Sequence, residues 1–320
     1  MSPEKKYDLT IAIPVFNGGN WLSWILRPVI QEIRRTPELK IEVLINDNAS
    51  TDHTEQTARS HGSQNQDIEI VYNRQATNLG FGINYLDALE RSKGNKILTL
   101  GDDILRCGAL KRLTPYIKDG TTSFVHFDHT RIDHNTGQII NRSMLGPRGT
   151  RWSINPNHFF FEPIIPDIRD QYEPTFKFVG ESATFISALL WDKQTFDAIN
   201  QDPGLIKFKN SFIVQCYYQL RMAIEKPPVK LSGHQFVNYG VFAKVPASKA
   251  QVDAGVEFNS EVTKYALDLG YKEKAIYHLK LHQNPQTLFD VNKLTPMDKI
   301  GCLNRALLST YWYYRHVIVG

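Results

Sequence analysis

Short apolar segments alternate with helical segments through the first third of this chain, and this alternation limits the fold more than any other feature. The apolar segments are Leu9–Val15, Ile41–Ile45, Ile68–Tyr72 and Lys96–Leu100. Such segments are typical of buried strands in parallel sheets. The sequence between them predicts helices over Trp21–Arg35, from about His53, and over Ile83–Arg91. Four strands joined by three helices through right-handed crossovers form a doubly wound α/β half.

Each predicted strand is followed by a polar or turn-forming segment. These segments are Phe16–Asn20, Asn46–Asp52, Arg74–Gly80 and Gly101–Asp103. The carboxyl ends of parallel strands meet at one edge of the sheet, which is where ligands bind in open α/β folds. Four charged side chains are expected to meet there: Asp47, Arg74, Asp102 and Asp103. Their convergence favours a functional site, although Gly101–Asp103 alone also fits a solvated Asx turn.

The starts of two helices are predicted from capping residues. Asn20 is expected to cap the first helix, and Thr51 or Asp52 the second. Short polar side chains are suited to this position because they accept hydrogen bonds from the N–H groups that a helix leaves unpaired.

The pattern changes after residue 120. Ser123–Phe127 and Gln138–Ile140 predict a hairpin with its turn at Asn135–Gly137. Val229–Leu231 predicts a short strand that ends before Gly233 and His234. Further helices are predicted over Lys193–Asn200, Phe212–Ile224, Val256–Leu269, Lys272–His282 and Pro296–Tyr314. We therefore expect a first half over residues 1–120, a second half of the same domain over 121–246, and a helical C-terminal region over 247–320.

Cysteine spacing and charge narrow the class of protein. Cys107, Cys216 and Cys302 lie far apart and form no CxxC pair, which argues against a disulfide framework or a zinc site and favours a reducing compartment. The net charge of +4 is mild, so nucleic acid is not an expected partner. Met1–Lys6 has no signal-peptide character, and no apolar stretch approaches the length of a membrane span. We expect a cytoplasmic protein.

Four motifs in the first half resemble those of glycosyltransferase family 2, whose fold is the Rossmann-like GT-A fold. They are Ile13-Pro14-Val15-Phe16-Asn17, Asn46 to Asp52, Asn78-Leu79-Gly80 and Gly101-Asp102-Asp103-Ile104, and they occur in the family's order. The run from Gly101 to Leu110 is also similar to that of abequosyltransferase-like O-antigen enzymes. The resemblance implies a nucleotide-sugar-binding sheet over 1–120, an acceptor-side extension over 121–246 and a helical C-terminus.

The resemblance also implies an activity. Such enzymes transfer a sugar from a nucleotide-sugar donor to a glycan or lipid-linked acceptor during surface polysaccharide synthesis, usually with inversion and with Mg²⁺ or Mn²⁺. An ion on Asp103 would neutralise the diphosphate leaving group, and His234 is a second candidate ligand. Asp102 is expected to accept hydrogen bonds from a ribose or sugar hydroxyl. The other expected donor-binding residues are Pro14, Phe16, Asn17, Asp47, Arg74, Asn78 and Gly80. Among these, we expect Asp47 to meet the base and Arg74 the phosphate.

The chain departs from the family at two places. Leu100 stands where many members have an aspartate, and Lys209–Gln215 lacks the Glu-Asp pair that often precedes a late helix. The general base that an inverting transfer needs must then lie elsewhere. Glu181 is the first candidate, since its position between Gly180 and an apolar run would raise its pKa. Asp128 is the alternative.

Two other functions and the role of one C-terminal segment stay open. A nucleotidyltransferase would share the architecture, but it would normally carry a cation in the loop after the first strand, and Phe16–Asn20 has none. A GT-A domain that only binds sugar would explain the missing acids.

The aromatic segment Tyr311–His316 would suit the inner face of the plasma membrane, or it would pack on the catalytic domain or on a second subunit in a homo-oligomer.

Overall fold

The predicted alternation of strands and helices in the first half is confirmed. The computed structural model describes residues 7–133, 139–141, 185–222, 230–241, 257 and 261–270. Its strands are β1 Tyr7–Val15, β2 Ile41–Asp47, β3 Glu69–Arg74, β4 Gly94–Thr99, β5 Ile104–Leu105, β6 Phe124–Asp133, β7 Ile139–Asn141, β8 Leu189–Asp192 and β9 Lys230–Val241. The first helices are α1 Leu22–Arg35, α2 Thr54–Gln64, α3 Phe81–Arg91 and α4 Ala109–Ile117. Shorter helices follow at Lys193–Ile199, Pro203–Ile206, Val214–Met222 and Thr263–Asp268, with a 3₁₀ turn at Ile186–Ala188.

Within these described residues, nine strands form one mixed sheet in the order β3-β2-β1-β4-β8-β6-β9-β5, with β7 paired to β6. Strands β1 to β4 are parallel to one another, as the doubly wound pattern predicts. Strand β8 runs antiparallel to both β4 and β6. Strand β9 is parallel to β6 and antiparallel to β5. The second half therefore extends the parallel half into one continuous sheet.

The core consists of two apolar clusters, one on each face of the sheet. Successive residues of β4 point to opposite faces, so Ile97 belongs to one cluster and Leu98 to the other. The cluster with Leu98 packs against α1 and α4, whereas the cluster with Ile97 packs against α3 and the helix Val214–Met222. Tyr265, from the predicted C-terminal region, is buried in the Ile97 cluster, where it contacts Phe208 and Tyr217.

The predicted cap of α1 is wrong. Asn20 gives no capping bond. The carbonyl of Gly18 accepts the backbone N–H groups of Trp21 and Leu22 at 3.0 and 2.8 Å, and this turn starts the helix. The prediction for α2 is closer, because the Asp52 carboxylate accepts the first helical N–H, that of Thr54.

The second half differs from its prediction mainly in two strands. A hairpin forms between β6 and β7, but β6 continues to Asp133 and pairs with β7 through Arg131 and Ile132, which lie beyond the predicted strand Ser123–Phe127. The predicted turn lies outside the described residues. Strand β9 has twelve residues instead of three, because β6 and β5 supply it with partners on both sides. His234 consequently lies inside a strand and not after one. None of the helices in the part of the chain that the structure describes is long and apolar enough to cross a membrane. Glu181, the helices predicted after residue 271 and Tyr311–His316 lie outside that part.

Candidate active site

The loop after β1 is fastened to the loop after β2. The backbone N–H of Gly18 donates to the Thr54 hydroxyl at 2.8 Å, and that of Gly19 donates to the Asp52 carboxylate at 3.0 Å. A Cβ at position 19 would lie 2.8 Å from the His53 ring, so any other residue there would displace that ring. A phosphate cradle needs N–H groups that point at the ligand. The two glycine N–H groups of this loop serve the protein's own side chains instead.

Asp47 is the last residue of β2, so it lies at the carboxyl end of that strand as predicted. Its carboxylate is fully buried. One oxygen accepts the N–H and the hydroxyl of Ser50, and the other accepts the hydroxyl of Tyr72 at 2.5 Å. Burial, and then this bond to Asp47, raise the pKa of the Tyr72 phenol far above its usual value. The Ser50 hydroxyl also accepts the N–H of Asn17, a residue with a left-handed φ of 51°.

Arg74 lies beside Asp47, at the end of β3. Its guanidinium donates to the carbonyl of Ser50 at 2.9 Å, and its Nε lies 3.8 Å from Asp47 and 3.9 Å from Glu55. Strand β3 is separated from β4 by two intervening strands. At about 4.8 Å per strand, Arg74 is roughly 14 Å from the Asp102–Asp103 loop that follows β4.

Asn48 joins the loop after β2 to the loop before α3. Its side-chain N–H₂ donates to Oδ1 of Asn78 at 2.9 Å and to the carbonyl of Gly80 at 3.1 Å. Its Oδ1 accepts the N–H of Leu79 at 2.8 Å. Gly80 has a φ of 82°, where a side chain would be strained. The side chain of Leu79 is left exposed at this edge of the sheet.

The two carboxylates after β4 have different surroundings. Asp102 is exposed, whereas Asp103 is 2% exposed. One oxygen of Asp103 accepts the hydroxyl of Ser187 at 2.5 Å, and the same hydroxyl oxygen accepts the N–H of Gly101 at 2.7 Å. The backbone N–H of Leu100 continues the pairing with β1 by donating to Ala12. The loop Gly101–Asp103, the acidic loop, is therefore held both by Ser187 and by β1, and Asp102 faces solvent.

The carboxylate oxygens of the acidic loop are suitable ligands for a hard divalent cation. Carboxylate oxygens are the ligands that Mg²⁺ and Mn²⁺ prefer, and Mg²⁺ usually takes few protein ligands together with water and phosphate oxygens. Among the residues that the structure describes, there is no group of three or more His, Cys, Asp or Glu side chains placed to hold a metal ion. An ion at Asp102 and Asp103 would thus need phosphate and water to complete its coordination.

The backbone brings Asp128 and His234 together, but away from the acidic loop. Strand β6 loses register with β9 after Phe127, and the next paired residues are Asp128 and Gln235, so His234 lies in the irregular stretch beside Asp128. Strand β9 reaches the acidic loop through Asn238, which pairs with Ile104. Four residues of strand, about 13 Å, separate His234 from Asn238. The pairing therefore does not place His234 beside Asp103.

The segment around residue 210 packs directly on the start of α3. A Cβ on Gly82 would lie 2.4 Å from the carbonyl oxygens of Lys209 and Ser211, so this close approach requires glycine. The ring of Phe81 lies 5.0 Å from that of Phe212, which is 44% exposed. The segment Lys209–Gln215, which contains no acid, thus lies beside the loop that Asn48 holds. That loop is at the carboxyl edge of the parallel strands, the ligand edge of the sheet.

Four residues that organise the site were not predicted from the sequence: Asn48, Ser50, Tyr72 and Ser187. The first two lie within the Asn46–Asp52 motif, and Tyr72 ends a predicted strand next to it, so their position was a usable signal. Ser187 lies in an apolar segment far from every motif, and no local pattern marks it.

Comparison with known proteins agrees with this arrangement. Residues 10–182 match the model of glycosyl transferase family 2. The chain is 26% identical over 234 residues to abequosyltransferase RfbV of Salmonella typhimurium, an alignment that covers 70% of this chain and 66% of that protein, just under two thirds.

Solved structures show the same fold. S. aureus TarS 1–349 in complex with UDP superposes with a TM-score of 0.57 at 13% identity, covering 93% of this chain and 78% of that one. The mannosyltransferase PcManGT from Pyrobaculum calidifontis, in complex with GDP-Man and Mn²⁺, gives a TM-score of 0.51 at 13% identity, covering 98% and 83%. Because the family model spans more than half of the 320 residues and includes the loops that follow β1, β2, β3 and β4, the chain belongs to glycosyltransferase family 2.

Proposed function

We propose that this protein is a metal-dependent, inverting glycosyltransferase. It moves a sugar from a nucleotide-sugar donor to a glycan or lipid-linked glycan in the synthesis of a surface polysaccharide such as O-antigen or capsule. The observation that carries the proposal is the pair Asp102 and Asp103 at the carboxyl end of β4, beside the interlocked loops of β1 and β2. The likeness to an abequosyltransferase and to structures in complex with UDP and with GDP-Man and Mn²⁺ supports it.

The donor is proposed to lie along the carboxyl edge of the sheet. Its base end would meet the surface formed by Pro14, Phe16 and Asn17, and its diphosphate would reach Asp102 and Asp103. The Asp47 carboxylate is already held by Ser50 and Tyr72. Because that carboxylate is fully buried, a base could reach it only if a contacting side chain such as Tyr72 moved away.

Arg74 is proposed to support the base end of the site. Its contacts with Ser50 and Asp47, and its distance of roughly 14 Å from the acidic loop, favour this role over contact with the terminal phosphate. Asn78 and Gly80 would form the neighbouring wall, since Asn48 fixes both.

Asp103 would hold the divalent ion, and Asp102 would mainly orient the donor. When bound, such an ion neutralises the charge that develops on a diphosphate leaving group. Because Asp102 is exposed, it is also free to accept a hydrogen bond from a donor hydroxyl. Asp103 is held in place by Ser187, so it would bring one fixed carboxylate to the site.

The general base is proposed to be Glu181, with Asp128 as the alternative. The carboxylate would take the proton of the acceptor hydroxyl as its oxygen attacks the anomeric carbon and the nucleoside diphosphate leaves. The segment Lys209–Ser211 lies at the ligand edge and contains no acid, which supports a base from another part of the chain. A lipid-linked acceptor would place the protein at the cytoplasmic face of the plasma membrane.

The geometry disfavours a nucleotidyltransferase, because the N–H groups of Gly18 and Gly19 are used within the protein and cannot cradle a triphosphate. A sugar-binding protein without catalysis is tested directly. Purified protein is incubated with a panel of nucleotide sugars, with Mn²⁺ or with EDTA, and release of nucleoside diphosphate is measured. We expect release with one donor and only with the metal.

Substitutions link that activity to the acidic loop. Asp103→Asn should remove metal-dependent release, at a cost of several kcal/mol in transition-state stabilisation. Asp197→Asn, which neutralises a half-exposed carboxylate paired with Lys193, is the control and should leave the rate unchanged. Near-normal turnover of Asp103→Asn that saturates with Mn²⁺ would show that Asp103 is not a ligand. Nucleotide binding without release by the wild type would favour the sugar-binding alternative.

A further inference from the structure

The hydroxyl of Ser187 connects two groups of the acidic loop. It accepts the backbone N–H of Gly101 at 2.7 Å and donates to Oδ2 of Asp103 at 2.5 Å. A serine hydroxyl has one proton to donate and two lone pairs to accept with. Both bonds are therefore made at once by one group, and Ser187 is only 2% exposed.

The acidic loop and Ser187 come from different halves of the chain. Ser187 belongs to the 3₁₀ turn Ile186–Ala188, directly before β8, and β8 pairs with β4 through Leu190 and Leu98. The hydroxyl of Thr99 donates to the carbonyl of Ile186, which fixes the same turn to the end of β4. The turn is thus held against the acidic loop by strand pairing as well as by side chains.

We propose that Ser187 is a positioning residue for Asp103, an inference that rests on the proposed function. Holding Oδ2 of a carboxylate fixes the rotation of the whole carboxylate about the Cβ–Cγ bond, so the orientation of Asp103 is set before a donor or cation arrives. The bond from Gly101 fixes the backbone two residues earlier. Ligands that are oriented in advance by neighbouring hydrogen bonds bind metal more tightly, and the loss of such a neighbour typically lowers affinity about 10–100-fold.

Three substitutions separate positioning from general stability. Ser187→Ala removes both bonds, whereas Ser187→Thr keeps a hydroxyl. Ser92→Ala is the matched control: Ser92 is 3% exposed and its hydroxyl donates to the Ala88 carbonyl at 2.8 Å, at the end of α3 away from the ligand edge. Should Ser187→Ala fail to fold, Ser187→Cys is measured, since a thiol keeps the shape but hydrogen-bonds weakly.

Two quantities are measured. Mn²⁺ binding is monitored through the electron paramagnetic resonance signal of free Mn²⁺, in the presence of a saturating nucleoside diphosphate that the wild type binds, chosen from UDP, GDP, CDP and dTDP. Nucleotide binding is measured separately in EDTA. We expect Ser187→Ala or Ser187→Cys to weaken Mn²⁺ binding about tenfold or more, with metal-free nucleotide binding nearly unchanged. Ser187→Thr should recover most of the affinity, and Ser92→Ala should lower the melting temperature without changing Mn²⁺ binding.

Two results would overturn the assignment. Wild-type Mn²⁺ affinity in Ser187→Ala would show that Asp103 is oriented without the hydroxyl, while the proposed function stands. A wild type that binds none of UDP, GDP, CDP and dTDP with Mn²⁺ would refute the proposed function and this assignment with it.

Discussion

Asn48 donates from its side-chain amide to Oδ1 of Asn78 over 2.9 Å, across the gap between the loop after β2 and the loop before α3. The same amide group also bonds Leu79 and Gly80, so its N–H₂ group and its oxygen are both engaged with this loop. The wall of the proposed donor site therefore depends on one buried side chain that need not touch the donor.

Asn48→Ala should weaken nucleotide binding. Two or three hydrogen bonds of about 1 kcal/mol each are lost, and part of that loss appears as a more mobile Asn78–Gly80 loop. We expect the Kd of the preferred nucleoside diphosphate, measured by calorimetry, to rise about tenfold. Asn65→Ala is the control, since Asn65 bonds Arg34 and the carbonyl of His61 at the far end of α2. We expect Asn65→Ala to keep the wild-type Kd. If Asn48→Ala also kept the wild-type Kd, Asn48 would have no role in shaping the site.

Glu181→Gln should abolish transfer while leaving donor affinity unchanged. Glutamine keeps the shape and hydrogen-bonding capacity of glutamate but does not accept a proton, and a positioned base typically contributes about 10²–10⁴-fold. Transfer to acceptor and nucleotide affinity are both measured from pH 6 to 9. If Glu181→Gln matches wild type throughout, Asp128→Asn is tested in the same way. Weaker nucleotide binding would instead mark Glu181 as a donor contact.

His126 should make the fold sensitive to acid. The ring is fully buried, with Nδ1 3.4 Å from Oε1 of Gln219, and burial lowers its pKa to about 4. An unfolded histidine titrates near 6.5. The folded state disfavours the proton, so this contribution to stability is complete above pH 6.5 and is lost as the pH falls from 6.5 to about 4.

The size of that loss is on the order of 3 kcal/mol. His126→Gln retains an amide that can bond Gln219 but does not titrate, so its free energy of unfolding should fall less steeply over this pH range. Urea unfolding of both proteins from pH 7 to 4.5 measures the difference. Parallel pH profiles would mean that His126 does not titrate on unfolding in this range.

The buried ion pair of Lys96 should contribute more to the free energy of unfolding than an exposed ion pair does. Its ammonium group is almost completely buried, where it donates to the Thr122 carbonyl at 3.0 Å and to Asp192 at 3.1 Å. Removing one partner of a buried pair costs about 3–5 kcal/mol, because the other charge stays buried. Lys96→Ala should lose that much in urea unfolding. Lys118→Ala, which breaks the more exposed pair with Asp8, should lose less than about 1 kcal/mol. Similar losses in the two variants would contradict the argument.

The parallel half could be predicted because its signals are local. The apolar runs that form β1, β2 and β4 and the polar residues that follow them are contiguous, and the parallel arrangement follows from the helices between them. The edge position of Asp47 and Asp102 followed from the same pattern.

The rest depended on contacts between distant residues. Strand β9 is long because β6 and β5 pair along it, and nothing near Val229–Leu231 records those partners. The bonds of Ser187 to Gly101 and Asp103 join residues more than eighty positions apart. The expected cap at Asn20 failed because the Gly18 carbonyl supplies the same hydrogen bonds from the backbone.

The pairing of β5 with β9 also has a consequence for biosynthesis. Chains fold from the N-terminus as they are made, and pairings between distant segments wait until both have emerged from the ribosome. Strands β1 to β4 are complete within the first hundred residues, but Ile104 and Leu105 meet their partners only when Val237 and Asn238 have been translated. A nascent or prematurely terminated chain would thus carry the parallel strands without the pairing that holds the residues directly after the acidic loop.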